Sequence, residues 1–90
     1  MNFYHDANKI SLLDEHDKTL AEITFPDVND HTVNIDHTFV DDSLRGQGVA
    51  GKLVKAAAEQ IKSQNKKAVL TCSYAVKWFA GHPEYDDLLQ

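Results

Sequence analysis

Hydrophobic and polar positions follow two rhythms along this chain, and the change between them falls at a glycine-rich stretch, "RGQGVAGKL", residues 45–53. Before it, apolar residues recur at every second position. "KISLL" is a short apolar run that ends in the turn residues "DEHD". "TLAEITF" places Ala21, Ile23 and Phe25 on one face, and "PDVND" carries turn chemistry. "HTVNIDHTFV" then alternates Val33, Ile35, His37 and Phe39 with Thr32, Asn34, Asp36 and Thr38. A period of two predicts a half-buried strand over 32–40. The opening "NFY" adds a candidate first strand. Short turns between these segments favour an antiparallel meander.

After the glycines the period lengthens to that of a helix. Val49, Ala50, Leu53, Val54, Ala57, Ala58 and Ile61 fall on one stripe, with the lysines and Glu59 mostly outside it. The pattern predicts a helix over about 47–63, with Asn65 near its C-terminal end. "AVLTCS" reads as a buried strand over 68–73. A second helix is expected from Ser73, which can cap it, to the stop signals Gly81 and Pro83. The tail "PEYDDLL" offers one further turn. A strand, a helix and a strand in this order predict a parallel pairing of 68–73 with 32–40 through a right-handed crossover.

Composition narrows the class without naming a function. Ninety residues, residues 1–90, are read as one domain with a small core. No apolar run approaches the ~20 residues of a membrane span, so no membrane association is expected. The start lacks a basic segment followed by an apolar one, so no secretory leader is expected. A single cysteine, Cys72, excludes an internal disulfide and a zinc ribbon, and a reducing, cytoplasmic setting is the simplest expectation. The five histidines are scattered, and no metal site is expected. The net charge of −5 argues against nucleic acid as a partner. That charge is unevenly spread. Residues 1–44 hold ten acidic side chains against Lys9 and Lys18, whereas residues 45–67 hold one arginine and five lysines against Glu59 alone. Basicity thus follows the glycine loop, where a polyphosphate would be favoured, although such a run can also be a solvated helix face.

The loop fits three phosphate-binding patterns. Gly46, Gly48 and Gly51 match G-x-G-x-x-G; Gly46, Gly51 and Lys52 match a Walker A loop with Leu53 where Ser or Thr belongs; Arg45, Gly48 and Ala50 match R-x-x-G-x-A. A dinucleotide fingerprint follows the first strand of a parallel unit and needs an acid about 20 residues on, and the segment near Thr71 has none. A nucleotide triphosphatase needs the Mg²⁺-binding hydroxyl and a Walker B aspartate, and both are missing. The third pattern fits its surroundings: a central strand before it, an amphipathic helix after it, then a parallel strand. With "HTFVDDSLRGQGVAGKLVKAA" followed by "CSYAVKWFAGHPEY", the chain resembles a minimal member of the GNAT acetyltransferase superfamily, and within it the small single-domain N-acetyltransferase-like group. The likeness is close over the C-terminal part and holds only in outline for the N-terminal strands.

The resemblance implies an α/β fold: a mixed, mostly antiparallel sheet with two main helices, splayed between the 32–40 and 68–73 strands. It implies acetyl-CoA in the splay as co-substrate. The pantetheine arm would pair with backbone near Phe39 and Val40, and the pyrophosphate would meet Arg45, Gly46, Gln47, Gly48, Val49, Ala50 and Gly51. An amine, which the acidic first half suggests is cationic, would be the acceptor, and the protein is expected as a monomer or weak dimer. Cys72 would face the thioester, as a nucleophile or as a pocket-lining residue. The latter is preferred, because a thiol on an apolar strand has a raised pKa unless the helix beginning near Ser73 offsets it. His37, most simply a core histidine, sits two residues before the pantetheine contact and can serve as general base. Relatives often carry an acid where this chain has Phe39. That departure keeps a second expectation in play, a non-catalytic acyl-CoA-binding module. Tyr74 and Tyr85 are candidate general acids. The "HPEY" segment closes the cleft or anchors the tail.

Overall fold

The computed structural model describes residues 2–90. Four antiparallel strands form the larger sheet: β1 (Tyr4–Asp6), β2 (Lys9–Leu13), β3 (Thr19–Thr24) and, at the far side, β6 (His37–Val40), in the order β1-β2-β3-β6. A smaller sheet of order β4-β5-β7 contains β4 (Asp27–Asn29), β5 (Thr32–Ile35) and β7 (Lys67–Leu70). β5 runs antiparallel to β4 and parallel to β7. Helix α1 (Val49–Ser63) makes the crossover from β6 to β7, and helix α2 (Ser73–Ala80) follows β7. Two 3₁₀ segments complete the chain, Asp42–Leu44 before α1 and Pro83–Leu88 near the end. This is the mixed, mostly antiparallel architecture with two main helices that the resemblance implies, here divided into two sheets.

The core follows that pattern. Ile10, Ala21, Ile23 and Phe25 from the larger sheet, and Val33, Ile35 and Ala68 from the smaller one, are fully buried against the α1 stripe of Leu53, Val54, Ala57, Ala58 and Ile61. Apolar area removed from water on both sheets is thus shared by one helix. Gly51 lets α2 approach α1. A Cβ placed there would lie 3.5 Å from the Tyr74 hydroxyl and 3.6 Å from Trp78 Nε1.

Several boundaries differ from expectation. The 32–40 strand is two strands. Val33 and Ile35 are buried, but His37 is exposed and Phe39 keeps 40% of its surface, so the alternation slips by one at Asp36. The Asp36 carboxylate accepts the Thr24 hydroxyl, and its amide donates to the Thr24 carbonyl at 3.3 Å. Periodicity cannot register a one-residue phase slip of this kind. His37 is therefore not a core histidine. "PDVND" contains the short exposed strand β4, held to β5, rather than turn alone. The first helix begins at Val49, not 47, and the 68–73 strand ends at Leu70. Cys72, not Ser73, occupies the N-cap of α2.

A stability test follows from the α1–α2 contact. Gly51→Ala adds a methyl at ordinary contact distance and removes a helix-interior glycine, so it is expected to hold or raise stability by up to about 1 kcal/mol. Gly51→Leu overfills the contact and is expected to cost about 1–3 kcal/mol. Thermal or urea unfolding of the two variants reads the difference. A tolerated leucine would show that the helices are not in close contact there.

Candidate active site at the sheet opening

The break at Asp36 separates the two sheets. β5 pairs with β7, whereas β6 pairs only with β3 and stands at the edge of its sheet. The last backbone tie between the two arms among the described residues is the Ile35 carbonyl, which accepts the amides of Thr71 at 3.2 Å and Cys72 at 3.1 Å. Beyond it the chain leaves an opening with the free backbone edge of β6, at Phe39 and Val40, on one side and Cys72 on the other.

At the end of β6 lies a cavity of about 270 Å³ whose lining includes Val40, Leu44, Arg45, Gly46, Gly48 and Ala50. The loop is shaped by Asp41, whose carboxylate accepts the Ser43 amide at 3.0 Å and the Ser43 hydroxyl at 2.6 Å. These bonds hold the Asp41 carboxyl below its ordinary pKa, the Ser43 side-chain bond first. Gly46 and Gly48 have φ of +83° and +70°, a left-handed backbone that costs side-chain-bearing residues about 1–2 kcal/mol. A Cβ at either would meet nothing within 4 Å, so conformation rather than space selects glycine.

Gly48 is the N-cap of α1, and no side chain caps the helix. The first bond into the helix runs from the Lys52 amide to the Gly48 carbonyl at 3.1 Å. The amides of Val49, Ala50 and Gly51 are thus the unpaired donors of a helix start, at the positive end of its dipole. Gln47 differs: its amide donates to the Leu44 carbonyl at 3.3 Å, so it belongs to the turn. Arg45 is exposed and pairs with Asp42 at 2.7 Å. Gly51 presents its Cα to α2 rather than to the cavity lining.

Across the opening, Cys72 is half-buried and a free thiol. Its Sγ lies 3.5 Å from Thr38 Oγ1 on β6. Burial pushes the Cys72 thiol up, but the Thr38 hydroxyl and the amides of Ala75 and Tyr74, which open α2, outweigh it and bring the pKa below the ordinary value. A raised pKa was the expectation for an apolar strand; the N-cap position reverses it. Thr38 is the functional neighbour that residue patterning missed, since it reads only as a polar position on an alternating strand.

The remaining candidates separate. Tyr74 places its hydroxyl over Gly51 at the start of α1. Tyr85 is drawn the other way: its pKa is raised, first by a hydrogen bond to Glu59 of α1 and then by burial. His82 stacks on Trp78, ring centroids 3.8 Å apart, and its Nδ1 lies 2.7 Å from the Trp78 carbonyl. The "HPEY" segment therefore anchors the tail against α1 and α2. A second cavity, about 260 Å³, lies at the other end of α1 beside Lys62, Asn65 and Tyr85. Among the described residues no group of three or more His, Cys, Asp or Glu side chains is placed to hold a metal ion, and no helix is long and apolar enough to cross a membrane.

Known proteins resemble this chain in sequence and in fold. The family profile described as GCN5-related N-acetyl-transferase matches residues 9–88. The chain is 38% identical over 77 residues to protein NATD1 of Xenopus tropicalis, covering 83% of this chain and 69% of that protein. It is 36% identical to human NATD1 over the same length, covering 83% and 66%. The solution structure of a GCN5-like protein from Staphylococcus aureus superposes with a TM-score of 0.80 at 37% identity, covering 99% of this chain and 87% of that one. Tetrahymena GCN5 shares the fold alone, with a TM-score of 0.65 at 14% identity over 81% of this chain and 48% of that one.

The lowered thiol pKa gives a direct check. Alkylation of Cys72 by iodoacetamide is expected to reach half its limiting rate at a lower pH than alkylation of N-acetylcysteine run beside it. In Thr38→Val, which removes the hydroxyl facing the sulfur, that midpoint is expected to move up. An unshifted profile in both proteins would show that neither Thr38 nor the α2 N-terminus acts on the thiol.

Proposed function

The chain belongs to the GCN5-related N-acetyltransferase family, and from that premise we propose that it binds acetyl-CoA across the opening between β6 and β7. The observation that carries this is the uncapped start of α1. Three unpaired amides, Val49, Ala50 and Gly51, stand beside a cavity floored by glycines in a left-handed conformation. A helix start of this form is a seat for phosphate. The CoA pyrophosphate takes these donors. Arg45 exchanges an exposed pairing with Asp42, which contributes little in water, for a phosphate oxygen. The pantetheine arm lies along the free edge of β6 at Phe39 and Val40, pairing as an added strand would. This brings the thioester to Cys72 and Thr38.

Binding is the first part of the reading, and it stands whether or not turnover follows. An acyl-CoA-binding module without chemistry is favoured by β6 itself, which presents Phe39 to the opening and no carboxylate. Transfer by a covalent route is favoured by the setting of Cys72, at the N-cap of α2 with its Sγ 3.5 Å from Thr38 Oγ1 and its pKa lowered. In direct transfer, a neutral amine attacks the thioester carbonyl, the new C–N bond forms as the C–S bond breaks, and the CoA thiolate leaves to take a proton. The amine's own proton passes to a base, for which His37 is exposed on β6. In the covalent route, the Cys72 thiolate takes the acetyl group first, releases CoA, and yields it to the amine. The amide near Val40 is the donor available to a developing oxyanion.

Thermal unfolding tests the binding step. CoA at about 100-fold its Kd should stabilise the native state by about 2.7 kcal/mol, a rise on the order of 10 °C for a domain of this size. NAD and Mg-ATP should give less at equal concentration. Gly48→Ala should lower the melting temperature of the free protein by several degrees and abolish the CoA-dependent rise. Equal stabilisation by NAD or Mg-ATP would contradict the reading, as would a CoA response unchanged in Gly48→Ala.

Mass spectrometry after brief acetyl-CoA exposure distinguishes the modes. An acetyl adduct on Cys72 that an amine discharges marks the covalent route. Thiol release without an adduct marks direct transfer. CoA binding with neither marks the module.

A further inference from the structure

We propose that the cavity at the C-terminal end of α1 binds a small zwitterion, an amino carboxylic acid whose carboxylate meets Lys62 and Lys67 and whose ammonium group meets Glu84 and Asp87. The proposal is independent of the acetyl-CoA reading, because this cavity and the glycine loop lie at opposite ends of the helix.

Two stretches of chain build the cavity, and they carry opposite charge. α1 ends at a left-handed residue, Asn65, with φ of +57°. The Asn65 amide donates to the Lys62 carbonyl at 3.0 Å and the Lys66 amide to the Ile61 carbonyl at 3.2 Å, a reversal that closes the helix. The chain then enters β7 at Lys67, whose amide donates to the His31 carbonyl at 2.8 Å. This reversal gives the cavity a lysine wall of Lys62, Lys66 and Lys67. The 3₁₀ segment Pro83–Leu88 contributes Glu84, Tyr85 and Asp87. That segment is fastened down. Leu88 is buried, the Gln90 amide donates to the Ala68 carbonyl of β7 at 3.0 Å, and the Tyr85 phenol bonds to Glu59 of α1. Both walls are therefore held by the fold, and the cavity is preformed, as small-molecule sites usually are.

The two walls do not satisfy each other. Among the described residues no ion pair joins them. Lys66 turns aside to Asp27 at 3.0 Å, and Lys67 Nζ donates to the Asp87 backbone carbonyl rather than to a carboxylate. Lys62, Glu84 and the Asp87 carboxylate are thus left without a charged partner, and the Lys67 ammonium is met only by a neutral acceptor. A simple anion in this cavity would face the two carboxylates, and a simple cation would face the lysines, so repulsion discriminates against both. A molecule that carries both charges satisfies both walls. Size sets its class. At about 260 Å³ the cavity falls below the ~300 Å³ at which ordinary ligand sites begin, which suits a molecule of amino-acid size rather than a nucleotide. Lys62, Lys67, Glu84 and Asp87 are all exposed. A single ion pair with an exposed group contributes little, so affinity depends on both ends of the ligand acting together.

The test is a ¹⁵N-resolved NMR titration of the full chain. The probes are glycine, 4-aminobutyrate and 6-aminohexanoate, zwitterions of increasing charge separation, beside butyrate and butylamine, which carry one charge each. At least one zwitterion should shift the amides of Lys62, Asn65, Lys67, Glu84 and Asp87, and should bind at least fivefold more tightly than either single-charge probe. Lys62→Gln and Glu84→Gln should each weaken that zwitterion at least fivefold. Glu15→Gln, in the β2–β3 turn, should not. Butyrate or butylamine binding here as tightly as every zwitterion, shifts that are absent or confined to other surfaces, or an unaltered response in either cavity variant would each overturn the proposal. A separate titration with CoA should leave this set of amides unmoved. CoA shifting them would make the cavity part of the cofactor site and would also overturn the proposal.

Discussion

Everything at the site depends on where backbone pairing between the two sheets stops. A strand that continued in phase from Thr32 to Val40 would pair with β7 along its whole length and close the sheet. The slip at Asp36, held by Thr24, turns the second half toward β3 instead. Ile35 closes the shared ladder by accepting two amides at once, Thr71 and Cys72. Past that point β6 keeps an edge of unpaired backbone groups. Such an edge ordinarily invites aggregation. Here it borders a cavity, a helix start and a thiol, and it is short.

The two helix starts that meet the opening are both without a side-chain cap, and each gives its free donors a different use. α1 begins at a left-handed glycine and leaves its first three amides without a partner in the helix. α2 begins at Cys72, so its amide dipoles act on a sulfur. The uneven charge of the sequence fits this division. Lysines gather on α1, while carboxylates are spread over the strands and their turns.

Much of this was legible in the residues. The α1 stripe, the glycine loop, the parallel return at 67–70 and the stop at Gly81 all follow from spacing and composition, because each depends on local pattern. Asp36 did not: a residue that breaks an alternating strand has the same letters as one that continues it, and only its tertiary partner, Thr24, distinguishes them. His37 and Phe39 were therefore set on the wrong face. The pKa of Cys72 departs from the apolar-strand expectation for a related reason, since strand β7 ends at Leu70 and the cysteine becomes a helix cap. Tyr85 and Glu59 lie on different elements, and nothing in the sequence pairs them.

Amide hydrogen exchange with and without CoA tests the central claim most directly. If the opening and the α1 start form one acyl-CoA seat, protection should appear together at Val40, Val49, Ala50 and Gly51, and the amides around Lys62, Asn65 and Tyr85 should be unchanged. Protection concentrated at that second cavity, with the β6 edge still exchanging freely, would contradict it.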